Sequence, residues 1–227
     1  KRQIIHNPQL VNSLSARGVS PVDSLQDVAD GSKVLIRSHG VGPHVYEEAE
    51  AKHLDVVDAT CPHVKKAQQD ARKVINDKKA LIIVGEKDHP EVISISQWGC
   101  NRAIIIDKVE EAKEIPYCEH MGVVVQTTFS QSRFKQIESV LAEKTDDLDV
   151  YMTICTATRQ RQEAAVELAK KVDAMIVIGG KNSANTGRLA QVCAEQGCPT
   201  YHVETASELN VADFRGMSDI GVTAGAS

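Results

Sequence analysis

Two rhythms of apolar residues alternate along this chain. Continuous runs at 34–36, 81–84, 122–125 and 175–178 are rich in β-branched residues and too short for helices, so they predict buried strands. Between them, apolar positions fall three and four apart, as in Leu10, Val11 and Leu14 or in Val64, Ala67, Ala71, Val74 and Ile75, the stripe of a helix lying on a core. In order, the pattern predicts the end of a strand at 1–5, a helix over 8–17 stopped by Gly18, a short strand over 19–22, a strand over 34–36 and a helix over 43–53. The order then restarts with an added front strand over 55–60, a helix beyond Cys61, the strand over 81–84 and a helix ending at Trp98. A strand over 103–106, a short helix over 108–114, the strand over 122–125 and a helix over 130–144 complete that pass. From Asp149 a third pass brings a helix that follows Cys155 and runs to Lys171, the strand over 175–178 and a helix ending at Gln196. A strand over 200–203, a short helix near Ser207 and a strand over 220–222 follow.

The second and third passes are copies of each other. At a shift of 94 residues, nine of the 37 positions from Asp55 to Glu91 are identical without a gap, among them Cys61 with Cys155, Gly85 with Gly179 and Lys87 with Lys181. The same shift sets His89 opposite Ser183 and Glu91 opposite Asn185, so one scaffold carries different polar side chains at its loop tips. Strands that alternate with helices imply parallel sheets, whose ligands gather beyond the strands' carboxyl ends. The expected fold is therefore α/β: three similar small units, 1–54, 55–148 and 149–227, with parallel sheets arranged about a pseudo-threefold axis around a central site. Each unit offers a Cys loop, a first tip (His6, His89, Ser183) and a second tip (His39, Thr127, Ser227). Cys precedes the first tip by 28 residues in both complete units, so the matching Cys of the first unit is expected about 22 residues upstream of Lys1. A closing helix is due after Ser227, and the pattern reads as cut at both ends.

Charge and cysteine usage narrow the class. A net charge of −5 without a basic block argues against nucleic acid, and no stretch approaches the ~18 apolar residues of a membrane span. No secretory signal is visible at the start, so a cytoplasmic location is expected. The six cysteines lack the spacing of a disulfide framework, which points to free thiols in a reducing compartment or to metal ligands. Cys100, Cys118, Cys193 and Cys198 read as small buried hydrophobes. Cys61 and Cys155 share one place in the repeat and read as ligands.

One thiolate per unit suggests a metal centre. Zinc is one possibility, although no Cys-x2-Cys pair supports it; an iron–sulfur cluster with one iron left open to substrate is another. His6, His39, Ser183, Asn185 and Ser227 offer imidazole, hydroxyl and amide donors, several at helix starts, which is the composition of an anion site. Ser and Asn also cap helices, and His also orders turns. His89, Glu91 and Thr127 add groups able to carry protons, while an acid in a first helical turn is also favourable there without any chemistry.

These residues match a family in order. The matching segments are Ile5-His6-Asn7, Ser38-His39-Gly40-Val41, Asp58-Ala59-Thr60-Cys61-Pro62 and His89-Pro90-Glu91-Val92. They continue with Gln126-Thr127-Thr128, Cys155 with Arg161-Gln162-Glu163-Ala164, Lys181-Asn182-Ser183 and Val222-Thr223-Ala224-Gly225-Ala226-Ser227. Over essentially its whole length the chain resembles the 4-hydroxy-3-methylbut-2-enyl diphosphate reductases of non-mevalonate isoprenoid biosynthesis. The resemblance implies a [4Fe-4S] cluster on three cysteines, of which Cys61 and Cys155 are two and the third lies upstream of residue 1. It implies reductive dehydroxylation to isopentenyl and dimethylallyl diphosphate, with electrons from a donor such as ferredoxin or flavodoxin. It also implies substrate binding by His6, His39, His89, Thr127, Ser183, Asn185 and Ser227, and proton delivery by Glu91 with His89 and Thr127. Ala184 stands where some members carry a second serine. Without the upstream cysteine the chain is expected to hold a cluster poorly. The alternatives are a zinc-dependent hydrolase using His89, Glu91 and the cysteines, and a cluster-free diphosphate-binding module.

Overall fold

The computed structural model describes residues 8–225, so His6, Ser227 and the strand expected at 1–5 lie outside the described residues. The chain is α/β with parallel sheets, and it divides into two compact units: 21–154, and 8–20 together with 155–225.

Helix α1 (Pro8–Ala16) starts with a proline, whose missing N–H is no loss in a first turn. The strand expected at 19–22 does not form: Pro21 has no N–H to donate to a ladder, and Val19 and Val22 remain largely exposed. The chain of the first unit enters β1 (Lys33–Ile36), α2 (Pro43–Ala51) and β2 (Asp55–Asp58). The two strands pair in parallel, with Lys33 opposite Asp55 and Ile36 opposite Asp58.

The larger sheet of this unit is built from α3 (Pro62–Asn76), β3 (Ala80–Val84), α4 (Pro90–Trp98), β4 (Ile104–Ile106), α5 (Val109–Glu114), β5 (His120–Val125), α6 (Gln131–Ala142) and β6 (Asp147–Tyr151). Its strand order is β4-β3-β5-β6, and every pairing is parallel. The twofold alternation of a strand divides its residues between two cores. Leu81, Ile83 and Val124 meet Ala67, Ala71 and Val74 of α3 and Val92 and Ile95 of α4. Ile82, Val84, Met121, Val123 and Val125 meet Phe134, Ile137 and Leu141 of α6 on the opposite face. Helices on both faces explain why these strands read as unbroken apolar runs. Gly122 is required where α3 crosses the sheet, because a Cβ there would overlap the Val74 side chain.

The front strand of the third pass, beginning at Asp149, lies inside β6 and pairs with β5, Asp149 opposite Gly122, as β2 pairs with β1. Lys79 pins it at the amino end of the sheet, its Nζ 2.6 Å from Asp147 and 2.8 Å from Asp149.

The second unit repeats the plan. Helix α7 (Thr156–Ala169), β7 (Ala174–Ile178), α8 (Ala184–Ala194), β8 (Thr200–Val203) and β9 (Ile220–Ala224) give a parallel sheet of order β8-β7-β9, the same as β4-β3-β5. Met175 and Val177 pack on Ala165 and Ala169 of α7 and on Leu189 and Cys193 of α8. The short helix near Ser207 is a 3-10 turn, and a second, unforeseen one covers Val211–Phe214. Cys193 and Cys198 are buried as expected and Cys118 is partly so, but Cys100 is exposed. It sits in a surface turn beyond α4 with φ of 56°, where no core is within reach.

Candidate active site

Parallel strands bring all their carboxyl ends to one edge of a sheet. In the first unit, β1 delivers His39 to that edge, β2 Cys61, β3 His89 and Glu91, and β5 Thr127. The His39 tip turns at Gly40, whose φ of 69° is left-handed and whose missing Cβ leaves room for the Gln68 and Thr60 side chains.

Glu91 is the most heavily perturbed acid here. It sits in the first turn of α4, yet its carboxylate faces Thr127 on the neighbouring tip. Thr127 donates its backbone N–H to Oε1 at 2.7 Å and its hydroxyl to Oε2 at 2.9 Å. Glu91 is 2% exposed. Burial pushes its carboxyl up to about 7, although both donations from Thr127 favour the ionised form. A glutamate half-ionised near neutrality, with its partner hydroxyl aligned, can take up and release a proton under working conditions.

His89 caps the same helix. Its Nδ1 accepts from the Glu91 N–H at 3.2 Å, which makes Nδ1 the unprotonated nitrogen and leaves Nε2 to carry the ring proton in the neutral form. The His39 ring stands edge-on to His89, the centroids 5.4 Å apart at 75°. His89, Glu91 and Thr127, expected from the sequence to carry protons, and His39, expected at the anion site, come from three different strand ends of one unit. Gln126 has a role here that the Gln126-Thr127-Thr128 motif does not announce. Its Oε1 accepts from the Glu86 N–H at 2.9 Å, closing the loop that carries His89 against the one that carries Thr127.

Cys61 follows β2 at the N-cap of α3, with Pro62 at the first helical position. Asp58 shapes this loop by accepting from the Thr60 N–H at 2.9 Å and from the Tyr46 hydroxyl at 3.1 Å, with Lys65 Nζ at 2.7 Å. Burial works against the Asp58 charge, but these partners prevail and hold its carboxyl at about 2. Cys155 takes the same place in the second unit, at the N-cap of α7. Both thiols are free and partly exposed, and neither spends its sulfur on capping. Soft sulfur donors at helix N-termini, which suit anionic ligands, fit an iron–sulfur cluster by chemistry. Among the described residues no group of three or more His, Cys, Asp and Glu is placed to bind a metal ion.

In the second unit, Ser183 and Asn185 lie together at the start of α8. Ser183 is the N-cap, its hydroxyl accepting from the Thr186 N–H at 3.2 Å, so the capping role weighed from sequence is present. A capping hydroxyl still has its own proton to donate. Asn185 Nδ2 is buried and has no hydrogen-bond partner among the described residues, nor do Arg161 Nη1 and Gln162 Nε2 on α7. Buried N–H groups are ordinarily satisfied, so an unpaired amide beside a helix N-terminus suits an anionic ligand. Thr186, fully buried, packs so closely that Cβ atoms at Gly179 and Gly225 would overlap it.

Known proteins share this sequence and fold. The model of the LytB protein family matches residues 1–227. The 4-hydroxy-3-methylbut-2-enyl diphosphate reductase of Pelobacter propionicus is 46% identical over 224 residues, 99% of this chain and 80% of that protein. Its namesake from Caldanaerobacter subterraneus is 42% identical over 227 residues, 99% of this chain and 79% of the relative. The structure of the E-1-hydroxy-2-methyl-but-2-enyl-4-diphosphate reductase from Plasmodium falciparum superposes with a TM-score of 0.94 at 27% identity, covering 100% of this chain and 72% of that one. A solved (E)-4-hydroxy-3-methyl-but-2-enyl diphosphate reductase, the terminal enzyme of the non-mevalonate pathway, gives 0.69 at 42% identity over 99% of this chain and 80% of its own. By family model, sequence and fold alike, this chain belongs to the LytB protein family.

Proposed function

We propose that this chain is a 4-hydroxy-3-methylbut-2-enyl diphosphate reductase, an oxidoreductase of isoprenoid biosynthesis. The allylic C–O bond breaks, two electrons and two protons enter, and water leaves with isopentenyl or dimethylallyl diphosphate as product. The observation that carries the reading, within a family whose relatives bear this name, is the buried Glu91–Thr127 pair with its carboxyl at about 7. Removing hydroxide from carbon demands a proton on the departing oxygen, and Glu91 is built to supply one. Protonated at Oε2, it donates to the Thr127 hydroxyl, which passes its own proton onward, so Thr127 serves as both hinge and relay. The Thr127 N–H stays on Oε1 throughout and keeps the carboxyl oriented. His89, its Nδ1 accepting from the Glu91 N–H, has only Nε2 left to donate from in its neutral form.

Cys61 and Cys155 would hold a [4Fe-4S] cluster with a third thiolate from the segment preceding Lys1; when bound, it supplies the two electrons the dehydroxylation consumes. A one-electron carrier such as ferredoxin or flavodoxin delivers them in turn. The resemblance assigns the diphosphate to His6, His39, Ser183, Asn185 and Ser227, and such an enzyme works in the cytoplasm. Iron and acid-labile sulfide analysis after anaerobic reconstitution, on the chain extended to include the upstream cysteine, tests the cofactor. About four of each per chain are expected, and bound zinc or no metal would overturn the assignment. For the anion site, His39→Ala and Asn185→Ala should each weaken pyrophosphate binding by roughly 1.5–3 kcal/mol in calorimetry while leaving cluster absorbance unchanged. Unaltered affinity in both would remove these residues from the site.

A further inference from the structure

We infer that Ser94, oriented by Gln68, is a positioning residue that ties the His39 tip to the helix carrying His89 and Glu91. The inference rests on the reductase reading for its consequence, though not for its geometry. Ser94 lies one turn into α4 and is 2% exposed; Gln68 of α3 is 4% exposed. Gln68 Nε2 donates to Ser94 Oγ at 3.0 Å. The serine has a single proton to give, and two acceptors are in range: His39 O at 2.9 Å and, within the helix, Glu91 O at 3.1 Å. With Gln68 donating to the hydroxyl oxygen, the serine proton is left for one of these two carbonyls, and the shorter of the two bonds crosses to the His39 tip.

Two further features hold that tip to this side. Trp98 Nε1, one turn beyond Ser94, donates to Val41 O at 2.9 Å. Gly40 has no Cβ, and one placed there would overlap Gln68. The His39 backbone is thereby fixed to α4 at one end of a short span whose other end is the edge-on contact of the His39 and His89 rings. Losing the Ser94 bond releases His39 relative to His89 while leaving the Glu91–Thr127 pair in place.

The repeat supplies an internal control. At the 94-residue shift Gln68 is matched by Gln162, an identical residue, but Ser94 is matched by Arg188. In that copy the glutamine Nε2 is buried with no partner among the described residues. The Gln–Ser pair is therefore not a general need of the α/β scaffold. It is confined to the copy that carries His89 and Glu91.

The test uses Ser94→Ala and Gln68→Met, with Ser94→Thr as the variant that keeps a hydroxyl, all in the iron-loaded, extended enzyme. Both disruptive variants should raise KM about tenfold with kcat within about twofold of the parent, and Ser94→Thr should recover most of the loss. A packing role alone would lower the melting temperature and leave the KM-to-kcat split untouched. Hydrogen exchange on the ligand-free protein reads the coupling independently of any activity: amides 38–42 should exchange faster in Ser94→Ala. Unchanged exchange, or faster exchange with an unchanged KM, overturns the inference. If the parent enzyme does not turn the substrate over, the reductase reading falls, and exchange still decides whether Ser94 holds the loop.

Discussion

Replacing Glu91 by Gln is expected to lower turnover of the loaded enzyme by about 10²-fold or more, with cluster content and substrate affinity near those of the parent. Gln has the size of Glu, and its Oε1 can still accept the Thr127 N–H. It has no proton to give at neutral pH, so the relay through the Thr127 hydroxyl loses its source. As a mere first-turn acid Glu91 would contribute roughly 0.3–1 kcal/mol to stability and nothing to chemistry. Turnover within about threefold of the parent would return it to that role, since so small a loss is under ~1 kcal/mol of barrier. Thr127→Val, which deletes the hydroxyl and keeps the N–H, should reproduce much of the defect.

The same residue should make the ligand-free protein's stability depend on pH. An unfolded glutamate titrates near 4.5, whereas the buried Glu91 titrates at about 7. Between those values the folded chain holds a proton that the unfolded chain has released. The stabilisation associated with that proton is complete below 4.5 and is lost as pH rises through 7, a change of ~3 kcal/mol. Asp58 acts in the opposite sense and in another window, its contribution being lost as pH falls from the ordinary carboxylate range toward 2. Urea unfolding at pH 5 and pH 8 should therefore show the parent losing stability across that interval, while Glu91→Gln loses little. Gln resembles the protonated acid, able to accept the Thr127 N–H at Oε1 and to donate from Nε2 to the Thr127 hydroxyl oxygen, but it does not titrate, so the comparison lies in the pH dependence and not in absolute stability. Parallel profiles for the two proteins would mean that Glu91 is ionised in the fold at both values.

How much of this was legible in sequence depends on how far apart the interacting residues lie. The tips could be read because a strand, a polar turn and a helix follow one another locally and recur at a fixed shift. The pairing of β3 with β5 could not, and it is this register, Val84 beside Val125, that sets Glu91 against Thr127, 36 residues away. From sequence Glu91 could be a proton carrier or an acid favourable at a helix start; its burial, which raises the carboxyl against the two Thr127 donations, follows from packing that no local pattern shows. Ser94 and Gln68 were invisible for the same reason, each being an ordinary residue on a helical stripe until α3, α4 and the His39 tip meet. In the opposite direction, residues 19–22 had local strand character but form no strand, because Pro21 cannot donate to a ladder.

The most direct test of the central claim is product analysis by mass spectrometry after anaerobic incubation of 4-hydroxy-3-methylbut-2-enyl diphosphate with the iron-loaded extended enzyme and a reduced one-electron dye. Isopentenyl and dimethylallyl diphosphate should accumulate with the parent, and the unreduced alcohol should persist with Glu91→Gln. Release of phosphate without loss of the allylic oxygen, or equal conversion by both proteins, would contradict the account.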